Sequence, residues 1–382
     1  MNIIYVHSGE FPSNSPSLTF TSYTVNSLAK EIDTCYFFIK KNSDKTPEAI
    51  FNEVLGLPME KGLKIRPLKV LLNKRFNSLY FYQVYFQILR LKKTSKIDAI
   101  ITRNVTFLPL LIKLKSKIEC KVFLETHDFF TDLSLRDDIN IKKKVKQERL
   151  EQKYIPHLNG VFCLTNTQIQ LYSKYYPHTK LILARTGLSP LTPSPLSQRR
   201  YLGYVGSLDL HKGILNLIKI ASLTETKPNI VIIGAKSEEE GDLFLREASK
   251  VYDVNKIEVF LWQNKADLHK ILDQVKIGFV TLTDTFFNNY LTSPLKIFDY
   301  LSKQIPVIGS KLPTIEEVIK DNNNGFLYEL GKEEEIAKKI DKLLTDDKLY
   351  TEFQAFIEAQ TQELTWSKRA KIIKKAIELA KS

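Results

Sequence analysis

Short apolar runs of four or five residues, spaced by longer periodic or polar segments, constrain this chain more than any other feature. Ile3-Ile-Tyr-Val6, Cys35-Tyr-Phe-Phe-Ile39, Ala99-Ile-Ile-Thr102, Lys121-Val-Phe-Leu124 and Val161-Phe-Cys-Leu164 read as strands of the first half. Each suits a strand covered on both faces, where no polar alternation is required. Helix-length segments between them give the βαβ rhythm of a doubly wound parallel sheet. From Ala184 to Arg200 the rhythm breaks, and Pro190, Pro193 and Pro195 among Ser and Thr read as a linker. It then restarts with Tyr201-Leu-Gly-Tyr-Val205, Asn229-Ile-Val-Ile-Ile233, Ile257-Glu-Val-Phe-Leu261, Ile277-Gly-Phe-Val280 and Ile305-Pro-Val-Ile308. At 382 residues the chain exceeds one ordinary core. The pattern predicts an α/β protein of two Rossmann-like domains, 1–190 and 191–365, facing each other across a cleft. A basic amphipathic helix over 366–382 is expected to pack back towards the first domain.

The net charge of +13 points to anionic company. Between Lys61 and Ile97 stand ten Lys or Arg and no acid, together with Phe76, Tyr80, Phe81, Tyr82, Tyr85 and Phe86. Such a segment is either a core helix whose lysine stems cover apolar surface or a helix in weak contact with anionic lipid. No DNA- or RNA-binding signature accompanies it, so nucleic acid is not an expected partner. The three cysteines, Cys35, Cys120 and Cys163, fit neither a metal spacing nor a disulfide framework. With no basic region before Met1–Val6 and no run near the ~18 apolar residues of a membrane span, a cytoplasmic protein is expected, peripheral at the inner membrane face at most.

Ser293-Pro-Leu-Lys-Ile-Phe-Asp-Tyr300 places a helix start at Pro294 and a carboxylate, Asp299, one turn further in. Free amides of a first helical turn favour an anion, and a nearby carboxylate can grip hydroxyls, a pairing that suits a nucleotide sugar. In Gly203-Tyr-Val-Gly-Ser-Leu-Asp-Leu-His-Lys-Gly213, Gly206 lets a ligand approach the backbone. Lys212 there is either a diphosphate contact or a solvated lysine after a turn. His127, in Glu125-Thr-His-Asp128 past a predicted strand end, is either catalytic or a structural hydrogen-bonding residue. His7 and Gly9 hold the same kind of position after the first strand.

Together these residues resemble the retaining glycosyltransferase family 4, the group 1 glycosyltransferases of GT-B fold. The carriers are Tyr204-Val-Gly-Ser-Leu-Asp-Leu-His-Lys-Gly213, Val231-Ile-Ile-Gly234, Ser293–Tyr300, Ile305-Pro-Val-Ile-Gly309, Asn324-Gly-Phe-Leu327 and Thr365-Trp-Ser-Lys-Arg369. Glu125–Asp128, Leu164-Thr165 and Arg185-Thr-Gly187 match more loosely. The resemblance implies that Lys212 binds the donor diphosphate, that Asp299 holds the ribose diol, and that His127 lies by the reacting sugar. It implies that Gly9 faces the donor phosphates and the acceptor, with His7 beside it. Gly206, Ser207, Arg185, Pro294, Leu295 and Lys296 complete the expected donor site. The first residue of the family's acidic pair falls at Leu291, and the frequent phosphate-binding arginine at Ser207; Asn288, Asn289 or Thr292 would have to serve for Leu291.

The implied activity is sugar transfer, with retention, from a nucleotide-diphosphate donor to a saccharide or lipid-linked saccharide in bacterial-type surface glycan synthesis. No cofactor beyond the co-substrate and no metal is expected, since the chain has no Asp-x-Asp motif. Closure about the Pro-rich linker is expected to accompany turnover. A non-catalytic nucleotide-sugar or glycan-binding subunit, or another GT-B enzyme such as a sugar-nucleotide epimerase, stays open as an alternative.

Overall fold

The computed structural model describes residues 1–381 except Asn14, 71–76 and 209–212. The chain forms two compact units, one of Met1–Thr186, Tyr290–Thr292 and Trp366–Ser382, the other of Gly187–Asn289 and Ser293–Thr365. In unit 1 a parallel sheet runs in the order β3-β2-β1-β4-β5-β6-β7. Its strands are β1 (Asn2–Phe11), β2 (Thr34–Lys41), β3 (Leu63–Leu68), β4 (Ala99–Thr102), β5 (Lys121–Glu125), β6 (Gly160–Cys163) and β7 (Leu181–Leu183). Unit 2 carries a parallel sheet in the order β10-β9-β8-β11-β12-β13. Its strands are β8 (Tyr201–Val205), β9 (Asn229–Ala235), β10 (Ile257–Leu261), β11 (Val275–Val280), β12 (Val307–Ser310) and β13 (Gly325–Tyr328). Both units are doubly wound parallel α/β folds, as the strand rhythm predicts.

The last helix, Trp366–Leu379, belongs to unit 1. Trp366 stacks on Tyr23 of the helix Pro16–Glu31, with centroids 5.1 Å apart, and meets Phe20 edge-on at 5.5 Å. Arg369, 2% exposed, binds Glu125, the carbonyls of Ala184 and Arg185, and Thr24 Oγ1. Glu125 is fully buried at the end of β5, and Tyr5 of β1 donates to its Oε1 at 2.8 Å. One ion pair thus ties the last helix to the middle of the first sheet.

Three expectations need correction. The segment 61–97 is not a single helix: it holds β3 and, past 71–76, the helix Asn77–Leu91. Phe76 lies outside the described residues. The Pro-rich stretch is not a free tether. Leu188 and Leu191 donate backbone N–H groups to Leu364 O and Ser302 O, and the Arg199 guanidinium reaches Lys303 O, Gln304 O and Tyr350 Oη. From Gly187 on, the stretch is bonded within unit 2, and the boundary between the units falls at its start. Finally, β12 begins at Val307, two residues later than the apolar run. Pro306 has no N–H for a ladder, and only its carbonyl joins the sheet, accepting from Gly278 N at 2.9 Å.

Cys35, Cys120 and Cys163 are free and buried, the plain interior thiols their apolar surroundings predict. Burial pushes the Cys35 and Cys120 thiols up to about 12.

Candidate functional site

In unit 2 the chemistry gathers at the carboxyl ends of β8 and β11, under the helix Leu295–Ser302, whose N-cap is Pro294. Tyr300 positions that helix. Fully buried, it donates to Gly203 O at 3.0 Å and accepts from Val205 N at 2.9 Å. Its ring has room only because residue 278 of β11 is glycine: a Cβ there would lie 2.5 Å from the ring.

Gly206 follows β8 with φ +143°, and Gly234, at φ +128°, passes so near that a Cβ on it would lie 2.5 Å from Gly206 O. Both conformations are open to glycine and strained for other residues. Tyr204 Oη donates to Ser207 O at 3.2 Å and rounds off the turn. Lys296, from the first turn of the helix, lays Nζ over the Tyr204 ring at 4.0 Å. That ammonium would stand 3.2 Å from a Cβ on Gly206, so it is a cation beside this loop. Lys212 lies outside the described residues. Pro294 and Leu295 stand at the helix start beside the loop, as the sequence predicts.

Asp299 is on the same helix, mostly enclosed. Its Oδ1 accepts from Lys265 Nζ at 2.6 Å, where Lys265 opens the helix Lys265–Leu272. One carboxylate oxygen is thereby committed to Lys265. Lys265 was not predicted: it lies far from Asp299 in sequence, and no local pattern marks it.

At Leu291 the structure agrees with the apolar residue and not with the acidic one of the family. Leu291 is 1% exposed, and the carbonyls of Tyr290 and Leu291 accept from Thr165, Thr167 and Gln168 of unit 1. The candidate substitutes are engaged as well. The Asn288 amide donates to Thr283 O, the Asn289 amide to Asp284 Oδ1, and Thr292 is buried. A sugar hydroxyl gains no acidic partner at 291.

In unit 1 the predicted residues sit at the carboxyl ends of β1 and β5. His7 is buried, and Gly9 N donates to its Nδ1 at 3.0 Å. The imidazole is therefore the Nε2–H tautomer, donating to Ser17 Oγ at 3.0 Å. Burial first, then the charges of Arg103 and Lys40, lower its pKa to about 3, so it is neutral at physiological pH. Gly9 must be glycine because the imidazole folds back over it, 2.6 Å from where a Cβ would lie. His127 reaches solvent just past β5. Arg185 is half-buried after β7, and its carbonyl accepts from Arg369. Arg103 and Asn104, directly after β4, were missed: Thr102-Arg103-Asn104 carries no motif. Asn104 Oδ1 accepts from Ser8 N at 2.9 Å, and its Nδ2 donates to Ser8 Oγ at 2.8 Å.

Residues 193–360, which include the Gly206 loop, Lys265 and the helix of Asp299, match the model of the family "Glycosyl transferases group 1". A chitobiosyldiphosphodolichol beta-mannosyltransferase of Candida albicans is 28% identical over 127 residues, 32% of this chain but only 27% of that protein. Among solved structures, Anabaena HepE in complex with UDP and glucose aligns over 99% of both chains with a TM-score of 0.73 at 12% identity. The lipopolysaccharide outer core galactosyltransferase WaaB, in its apo form, aligns over 99% of both chains with a TM-score of 0.65 at 16% identity. At such identities the solved structures speak for the fold alone. The chain has the GT-B fold of these solved structures, and within its second unit residues 193–360 match the glycosyl transferases group 1 model.

Proposed function

We propose that the protein is a retaining hexosyltransferase, moving a sugar from a nucleotide-diphosphate donor to a hydroxyl of a saccharide or lipid-linked saccharide in surface glycan synthesis. The observation that carries this reading is the joint placement of Lys296, Gly206 and the Lys265–Asp299 pair by one short helix. As the donor bond breaks, charge develops on the leaving diphosphate. Lys296, the backbone N–H of Leu295, the Gly206–Ser207 backbone and the lysine at 212 would take that charge, the preorganised stabilisation that most lowers such a barrier. The proposed reaction is metal-independent, since these cations and amides supply the counter-charge. Asp299 would accept from the donor ribose, and His127 would contact the transferred sugar.

A thermal-shift screen of nucleoside diphosphates and their sugars tests this. A ligand at ~100 times its dissociation constant adds about 2.7 kcal/mol of stability; no shift with any of them overturns the reading. For the ribose contact, Asp299→Asn is expected to weaken nucleotide binding and to abolish most of the preference for ribo- over deoxyribonucleotides. Calorimetry showing that the wild type binds both sugars equally would remove Asp299 from the site. The enclosed, apolar Leu291 favours one other reading, a non-catalytic nucleotide-sugar-binding subunit. Hydrolysis or transfer of a bound donor by the wild type, lost in Lys296→Ala, separates the two.

We also propose weak peripheral contact with anionic lipid. Tyr80, Phe81, Val84, Tyr85 and Ile88 of the helix Asn77–Leu91 are buried, whereas Leu79, Tyr82 and Phe86 are exposed. Their spacing puts these three on one face, continued by exposed Arg90 and Lys93. An apolar stripe with a basic end fits an acidic lipid interface, each nearby charge adding about 1 kcal/mol. Co-sedimentation with anionic vesicles is expected at low salt, reduced at high salt and by Tyr82→Ser with Phe86→Ser, and absent with neutral vesicles. Binding indifferent to lipid charge would contradict it. No helix among the described residues is long and apolar enough to cross a membrane.

A further inference from the structure

Unit 1 holds a buried guanidinium, Arg103, with hydrogen-bond donors that no described residue fills. Its sheet changes winding direction between β1 and β4, and ligands of open parallel sheets lie outside the carboxyl ends of the strands at such a point. The Ser8–Asn104 hydrogen bonds join the two loops there. Arg103 stands beside them, its side chain 4% exposed and its guanidinium 4.3 Å from the Phe20 ring centroid. Its nearest carboxylate, Glu125, is committed elsewhere, accepting from Tyr5 on Oε1 and from Arg369 on Oε2. Arg103 Nη1 stays 3.5 Å from Oε1. Neither Nε nor Nη1 of Arg103 has a hydrogen-bond acceptor among the described residues.

The cluster thus sets one carboxylate against two guanidiniums. Tyr5 and His7 are neutral, so they offer no counter-charge: burial raises the Tyr5 pKa well above its usual value and lowers that of His7. The pairing of Val6 with Thr102 and the Ser8–Asn104 bonds bring the residues that follow β1 and β4, His7 and Arg103, to the same end of the sheet. Lys40, also buried, adds its charge to that of Arg103 at His7. A buried cation with unused donors is costly unless an anion meets it, and a guanidinium matches the oxygens of a phosphate.

We propose that Arg103 reads a phosphate ester on the acceptor, so that the acceptor is a phosphorylated and not a neutral saccharide. This rests on the glycosyltransferase reading and names the substrate class of its acceptor side. The test is calorimetry on the full chain, saturated with whichever nucleoside diphosphate the thermal-shift screen selects. Glucose 1-phosphate and methyl glucoside are then titrated as probes. The phosphate is expected to bind at least about tenfold tighter, the scale of one charged hydrogen bond. Arg103→Leu should bring glucose 1-phosphate down to the level of methyl glucoside while leaving the nucleoside diphosphate affinity unchanged. Arg103→Lys, which keeps the charge and loses the fork, should fall between, and it serves if the leucine variant does not fold.

Equal binding of the two probes by the wild type would overturn the proposal. So would an unchanged preference in the variants, or an equal loss of nucleoside diphosphate affinity, which would give the charge to the donor. If no nucleoside diphosphate binds at all, the enzyme reading fails, and the two probes on the free protein still decide the role of Arg103.

Discussion

Arg369→Met is expected to destabilise unit 1 by about 3–5 kcal/mol, the scale for removing one partner of a buried ion pair. The methionine fills much of the space, so the cost is electrostatic. Glu125 keeps the Tyr5 hydroxyl but loses its guanidinium, and the carbonyls of Ala184 and Arg185 lose their donor. Arg103, 3.5 Å from the same carboxylate, can move in and recover part of the loss. The double variant Arg103→Leu with Arg369→Met should therefore cost more than the two single changes summed. Urea unfolding followed by Trp366 fluorescence reads this directly, since Trp366 is buried in unit 1 whereas Trp262, in unit 2, is exposed. A loss below about 1 kcal/mol would show that the pair contributes little.

Gly278→Ala is the second large effect expected, on stability and ligand binding together. The added methyl would lie 2.5–2.7 Å from three atoms of the fully buried Tyr300 ring. Overpacking of this kind costs about 1–3 kcal/mol. Tyr300 is also the strut that sets the helix bearing Lys296 and Asp299, and misplacing a binding group by a fraction of an ångström costs about tenfold or more in function. Nucleotide affinity should thus fall although residue 278 touches no ligand. Pairing Gly278→Ala with Tyr300→Leu should cost less than the sum of the two. Strict additivity would mean that the clash is relieved elsewhere.

The central strands could be read from the chain because each is buried on both faces and needs apolar residues throughout. Those that escaped, β3, β7 and β13, are all sheet edges. An edge strand pairs on one side only, so β3 tolerates Lys64, Arg66 and Pro67, and β7 and β13 can be short. The helix start at Pro294 and the glycine turn at Gly206 were legible because local backbone geometry demands particular residues there. Lys265 against Asp299, and Arg103 against Glu125, were not. Those pairings are made by the tertiary fold between distant segments, and an isolated lysine or arginine carries no mark of its partner.

The return of the last helix to unit 1 has a consequence for how the chain comes into being. During synthesis the amino-terminal domain of a protein ordinarily folds first. Here Glu125, Tyr23 and Phe20 are translated long before Arg369 and Trp366, their partners in the finished core. Unit 2 has its whole sheet and its core by Thr365. The order of completion is therefore the reverse of the order of translation. Until residues 366–379 leave the ribosome, the nascent unit 1 carries a carboxylate without its Arg369 partner and an aromatic face without Trp366.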